Sequence, residues 1–163
     1  MLVTNHVLSG ALIGTVSRRP LPAFLLGVAS HFALDAVPHW GKWDDPRVFL
    51  RVAVPDGLAG LAVMAGLTAA APPGRRVPVL AGMAGAALPD IDKPVMLWFG
   101  RSPWPRAVRH FHSRIQDEAP DRFGPEIGAA AAFVICGLVL RWRPRTGARR
   151  RALAGRRSAP AAL

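Results

Sequence analysis

Apolar residues run through this chain in blocks of helical length, each ended by proline, glycine or paired arginine. Residues 4–17 predict a short apolar helix, with Thr4 or Asn5 as its N-cap and Arg18-Arg19-Pro20 as its stop. Residues 21–37 predict a second helix, closed by Pro38, whose ring excludes a continuing turn. A loop then leads to Asp45-Pro46, an N-cap followed by proline at the first helical position. From there a third helix is expected to about Ala71, and its stretch from Val52 onward matches the roughly 20 residues that cross a bilayer core. Ala62, Gly66 and Ala70 recur every fourth residue in it, a spacing that lets membrane helices approach closely.

After the turn at Pro72-Pro73-Gly74, residues 77–88 predict a fourth helix, broken at Pro89-Asp90-Ile91-Asp92-Lys93-Pro94. Ser102-Pro103 opens a more polar helix reaching about Glu118, and Pro125 to Leu140 forms the last. The uncharged core of that last helix, Ile127 to Leu140, is short for a full span and is expected tilted, interfacial or buried in protein. No strand-like alternation or internal repeat is visible. The predicted fold class is all-α, a compact bundle of five or six helices, several membrane-embedded or very apolar.

Composition sharpens that picture. The chain has 163 residues, enough for one domain with a real core, and 51% of them are hydrophobic. Mean hydropathy is +0.24, high for a soluble protein. The net charge of +11 is unevenly spread: residues 141–163 hold Arg141, Arg143, Arg145, Arg149, Arg150, Arg151, Arg156 and Arg157 and no acid. Residues 1–140 are therefore expected to form the helical membrane domain, and 141–163 a basic, disordered tail. Arginines directly after an apolar helix fit a cytoplasmic membrane flank, which places the chain as a multi-pass protein of the cell (inner or plasma) membrane. Nucleic acid is the competing partner, but the tail lacks interleaved aromatics and a folded module. The opening lacks a basic n-region and a cleavage site, so it does not read as a secretory signal.

Chemistry enters through charge on otherwise apolar helices. Cys136 is the single cysteine, so a metal would be held by His, Asp and Glu. Ser30 to Trp43 carries His31, Asp35 and His39 at four-residue steps, the first two on one helical face with Phe24 and Val28. Such a pair can bind one cation, or fasten a helix end by a plain hydrogen bond. Asp90 lies on the face of Gly82 and Ala86, and Asp92 follows in broken backbone; a carboxylate at a helix C-terminus opposes the macrodipole unless a cation is near. His112 belongs to an expected inward stripe with Val108, Phe111 and Ile115, while His110 points elsewhere. Arg109 and Arg114 are positioned to steady a phosphate or to serve as interface charges. His6 sits among Ser9, Gly10 and Ile13, where small neighbours admit another helix. Asp56 follows Pro55 in the most apolar segment and reads as either a cap or a site residue. Four separated stretches carrying His or Asp on apolar helices point to a shared site, because isolated buried charges are expensive.

His6, the His31/Asp35 pair, Gly85-Ala-Ala-Leu-Pro-Asp-Ile-Asp and Phe111-His-Ser resemble the YdjM-like membrane-bound metal-dependent hydrolases, a family similar to the all-α zinc phospholipase C and S1–P1 nuclease fold. The resemblance covers short islands across about residues 5–115. It implies metal contacts from His6, His31, Asp35, Asp90, Asp92 and His112. Ala107 stands where the family carries a histidine, and Phe111 where it carries threonine.

The expectation is a membrane-associated hydrolase holding a divalent metal, zinc first, and acting on a phosphoester or lipid head group. Its metal ligands would be His6, His31, Asp35, Asp90 and His112, with His39 added if the loop after Pro38 folds back. Asp92 or Asp56 would orient ligands or act as general base. The rival is a non-catalytic integral membrane protein whose His/Asp contacts, or a structural metal, hold the helices together.

Overall fold

A computed structural model describes residues 1–42 and 45–142. The fold is all-α. Six helices of ten residues or more are joined by a two-turn helix: α1 (Val3–Ser17), α2 (Pro20–Asp35), α3 (Pro46–Ala70), α4 (Arg76–Ala87), α5 (Asp92–Phe99), α6 (Arg106–Ile115) and α7 (Phe123–Trp142). A 3₁₀ turn, Leu88–Ile91, links α4 to α5. The short α5 falls in the stretch expected only as a break, and the polar helix begins at Arg106 rather than Ser102. Of the basic tail expected at 141–163, residues 141 and 142 continue α7, and those from 143 onward lie outside the described residues.

Local chemistry sets these boundaries. Arg18 ends α1 in the left-handed region, φ 61°, and Pro20 starts α2 at its first position. Asp45 caps α3 by accepting from the Arg47 N–H at 2.8 Å, with Pro46 following it. The start of α1 departs from expectation. Thr4 and Asn5 are helical, the N-cap is Leu2, and the free amides of the first turn are met from other helices. Asp56 of α3 accepts from Val3 N–H at 2.6 Å and Thr4 N–H at 3.2 Å. Glu126 of α7 accepts from Leu2 N–H at 3.2 Å and from the Asn5 amide at 2.6 Å.

The centre of the fold is α1, α2 and α4, packed backbone to backbone. A Cβ on Gly82 would collide with the Gly10 carbonyl oxygen, and one on Gly85 with the Phe24 carbonyl. Val7, Ala11, Val79 and Met83 are buried where α1 and α4 meet. The close approach is therefore made by these glycines. The Ala62/Gly66/Ala70 repeat does not make it, since Gly66 has open space where a Cβ would stand.

Among the described residues, two helices are long and apolar enough to cross a membrane, α3 and residues Phe123–Leu140 of α7, and only 6% of each apolar window is buried inside the protein. At 1.5 Å per residue, the 18 residues of that α7 window span about 27 Å, longer than the sequence reading allowed. Both present their apolar surface outward: Leu58, Leu61, Ile127 and Ile135 are each more than half exposed. A two-residue parallel bridge, β1 (His39–Trp40) beside β2 (Glu118–Ala119), ties the exit of α2 to the exit of α6.

Candidate metal centre

Three features of the chain bring one set of side chains together. His31 and Asp35 project from the last turns of α2, one turn apart. The glycine contacts hold α4 against α2, so the 3₁₀ turn after α4 delivers Asp90 to the same place. The β1–β2 bridge draws in the end of α6. His39 N–H donates to the Asp117 carbonyl at 3.0 Å and Asp117 N–H donates to the Asp35 carbonyl at 3.3 Å, which places His112 over Asp35.

His31, Asp35, Asp90 and His112 are all buried, and each offers a ligand atom within 4.8 Å of the others. His112 Nε2 lies 2.8 Å from Asp35 Oδ2, and His31 Nε2 lies 3.2 Å from the same oxygen. Both ring nitrogens stand 3.8 Å from Asp90 Oδ1. The tautomer of His31 follows from its other nitrogen. Nδ1 is 2.7 Å from the Ala86 carbonyl, which can only accept, so the proton sits on Nδ1 and neutral His31 turns its Nε2 lone pair into the cluster. That is the arrangement of a metal-ligating histidine whose second nitrogen is fixed by a backbone carbonyl.

The donor set also fits a divalent cation by what it lacks. Neither oxygen of buried Asp90 has an aligned hydrogen bond, and neither ring nitrogen of His6 has one. Positive charge is drawn in regardless. The Met1 α-amino group lies 2.9 Å from Asp35 Oδ1, and Lys93 Nζ lies 2.9 Å from Asp90 Oδ1. Two imidazoles and two carboxylates suit zinc and its first-row neighbours.

Burial would raise the Asp35 carboxyl, but the imidazoles of His112, His31 and His6 packed around it outweigh that effect and hold the group well below the usual carboxylate range. Asp90 is likewise lowered, with Lys93 as the main charge opposing the effect of its burial. His6 is lowered too, but here burial is the cause: it disfavours the charged imidazole and holds it down to about 4, against the pull of Asp35.

The remaining sequence candidates separate. His6 stacks on His31 with ring centroids 4.0 Å apart, and its Nε2 reaches Asp35 Oδ1 at 3.0 Å, beside the four converging groups. His39 is buried away from the cluster. Its Nδ1–H donates to the Val37 carbonyl at 2.8 Å and its Nε2 faces Glu118 Oε1 at 3.6 Å, because the chain after Pro38 turns into β1 rather than back over α2. The His39 contact lowers the Glu118 carboxyl. Asp56 is also elsewhere, both oxygens engaged by the start of α1. Asp92 opens α5 with one buried oxygen that lacks a hydrogen-bond partner. Of the expected inward stripe on α6 only His112 is buried; Val108 and Phe111 are 38% and 51% exposed.

Three polar residues were not singled out in the sequence. Lys93 pairs with Asp90 at i, i+3, and Gln116 donates to Asp35 Oδ2 at 3.3 Å from one turn past His112. Those spacings were legible. Glu126, in the first turn of α7 where a carboxylate is ordinarily solvated, is 1% exposed.

In front of the cluster a cleft of about 620 Å³ is lined by Asp92, Lys93, Arg106, Arg109, His110, His112, Ser113 and Gln116. His112 belongs to both, so the cleft reaches the converging ligands directly. Against family models, characterised proteins and solved structures, the chain finds no match in any of the three comparisons.

Proposed function

We propose that this protein is a membrane-associated, metal-dependent hydrolase acting on a phosphoester or a lipid head group. The observation that carries the reading is the convergence of His31, Asp35, Asp90 and His112 at the floor of a polar cleft. The motif islands that resemble the YdjM-like hydrolases support it independently, since Asp35, Asp90 and His112 belong to three different islands and meet in space.

A divalent metal, zinc by the donor chemistry, would polarise a phosphoryl oxygen and lower the pKa of bound water. His31 and His112 would hold it through Nε2, Asp35 and Asp90 through one oxygen each. Ala86 keeps His31 in the ligating tautomer, and Gln116 and Lys93 orient the two carboxylates. Asp92, with a buried oxygen free of partners at the cleft wall, would take a proton from an attacking water. α3 and α7 would anchor the protein in the cell membrane as a multi-pass protein, with the arginine tail on the cytoplasmic side.

A second reading is favoured by one feature: four protein ligands can complete a tetrahedral shell, which is how structural metals are held. The protein would then be a non-catalytic membrane protein whose metal fastens α2, α4 and α6.

Metal analysis of the detergent-purified protein beside an Asp35→Ala, Asp90→Ala double variant tests the site itself. Near-stoichiometric metal in the wild type and little in the variant is expected. Equal, near-zero metal in both removes both readings of the cluster as a metal site. Phosphoesterase activity of the metal-loaded protein then separates enzyme from structural metal.

A further inference from the structure

Helix α6 turns one polar face toward the cleft. Arg106, Arg109, Ser113 and Gln116 follow one another at three- or four-residue steps, and all line it together with His112. Arg114, which the sequence offered as a phosphate contact, lies outside the cleft lining. Among the described residues, the guanidinium groups of Arg106 and Arg109 have no ion pair and no hydrogen bond. The other cation at the wall, Lys93, is held by Asp90, and Asp92 is the single carboxylate in the lining.

Two unpaired guanidiniums one turn apart, beside a cluster built for a divalent cation, give the cleft converging positive charge and a set of planar donor forks. Arginine forks match phosphate oxygens in pairs, and hydrogen bonds to an ionised phosphate are among the strong ones in proteins. We propose that Arg106 and Arg109 form a phosphate-recognising subsite, with Ser113 as a neutral donor at its edge. The subsite rests on the metal-dependent reading above. Its residues would hold a phosphate so that one further oxygen faces His112 and the metal ligands. They are specificity-determining residues and take no part in holding the metal.

The phosphate can come from a soluble ester or a lipid head group. The lipid source has a structural argument: α5 starts at the cleft wall with Asp92 and ends in Trp98 and Phe99, 72% and 70% exposed, which suit a membrane interface.

The test uses the full chain, metal-loaded in detergent, titrated calorimetrically with inorganic phosphate. Saturable binding is expected in the wild type. It should weaken about tenfold or more in Arg106→Gln, Arg109→Gln, since each charge-assisted contact carries about that factor, and stay within twofold in Arg114→Gln. Metal content, measured on each sample first, should be the same in all three. No saturable binding by the wild type overturns the subsite, as does undiminished binding by the double variant or an equal loss in Arg114→Gln. Arginine-dependent phosphate binding by a wild type that retains no metal leaves the subsite standing and removes the metal reading, so the two fail separately. Competition identifies the source: dihexanoyl phosphatidic acid displacing phosphate more tightly than glycerol phosphate assigns a lipid head group, and equal displacement assigns a soluble ester.

Discussion

The Nε2 atoms of His31 and His112 stand 3.0 Å apart. The lone pair of His31 Nε2 is fixed toward the cluster by the Ala86 carbonyl, so a second lone pair facing it from His112 would repel. A proton on His112 Nε2, donated to Asp35, relieves the conflict for the metal-free protein; a cation between the two nitrogens and the carboxylates relieves it for the loaded one. The first test follows from that geometry. His31→Gln should lower retained metal at least tenfold after gel filtration, while His39→Gln, whose residue faces Glu118 instead, should retain metal as the wild type does. Equal retention in both variants would show that the cluster is not where metal is held.

Of the three residues singled out between Ser30 and Trp43, two were marked correctly as neighbours. His31 and Asp35 share a face because a helix repeats at 3.6 residues, and that periodicity is readable without a structure. His39 lies past Pro38, where no periodicity governs direction, and only the pairing of β1 with β2 decides where it points. Asp90 and His112 were legible as charged residues on apolar helices. Their meeting with His31 and Asp35 was not, because each lies more than 50 positions from that pair and is placed by glycine contacts and a two-residue bridge. Glu126 carried no local mark at all: a carboxylate in a helix's first turn is ordinarily solvated, and its burial depends on α1 docking over it.

Acid should destabilise the metal-free protein before the carboxylates titrate. Unfolded His6 binds a proton near pH 6.5, whereas the folded chain holds this group at about 4. Between those values the unfolded state binds more protons, so stability falls as pH is lowered. Glu118 adds to the loss below its ordinary range of about 4.5, its folded carboxyl being lowered by His39. Thermal denaturation of chelator-treated protein should show the midpoint dropping steadily from pH 6.5 to 4, reflecting a loss of about a few kcal/mol of stability in all. His6→Gln should flatten the upper part of that slope. A midpoint independent of pH across this window would mean that His6 is not buried as described.

The packing of α1 on α4 predicts a contrast between two glycines. An alanine methyl at Gly82 meets the backbone of Gly10 and cannot be accommodated by a side-chain rotation. Gly82→Ala should therefore destabilise by roughly 3 kcal/mol or more, at or above the upper end for an overpacked core. At Gly66 the same methyl enters open space, and Gly66→Ala should be neutral or stabilise by about 0.5–1 kcal/mol through helix propensity alone. Denaturation of the two variants in one detergent checks both signs. A tolerated Gly82→Ala would show that the helices stand further apart.

The start of α1 is held by carboxylates from both candidate membrane spans, and this makes the metal-site floor depend on them. Asp56 satisfies the amides of Val3 and Thr4, and Glu126 those of Leu2 and Trp40 together with the Asn5 side chain. Two turns or less beyond these caps, α1 carries His6 onto His31. Asp56→Ala should cost about 1–2 kcal/mol, the range for a lost helix cap. Glu126→Ala should cost more, about 2–4 kcal/mol, because it removes the carboxylate acceptor of three donors in a buried or half-buried setting. Glu126→Gln separates charge from shape: its amide oxygen still accepts, so it should recover about half of the loss. Hydrogen exchange at Leu2 to Thr4 gives the local readout, with protection falling at Leu2 alone in the Glu126 variant and at Val3 and Thr4 in the Asp56 variant. Metal retention should weaken alongside if α1 positions His6 through these caps. A cap variant that loses exchange protection while its metal content and His6 titration stay unchanged would show that α1's first turn and the cluster are mechanically independent.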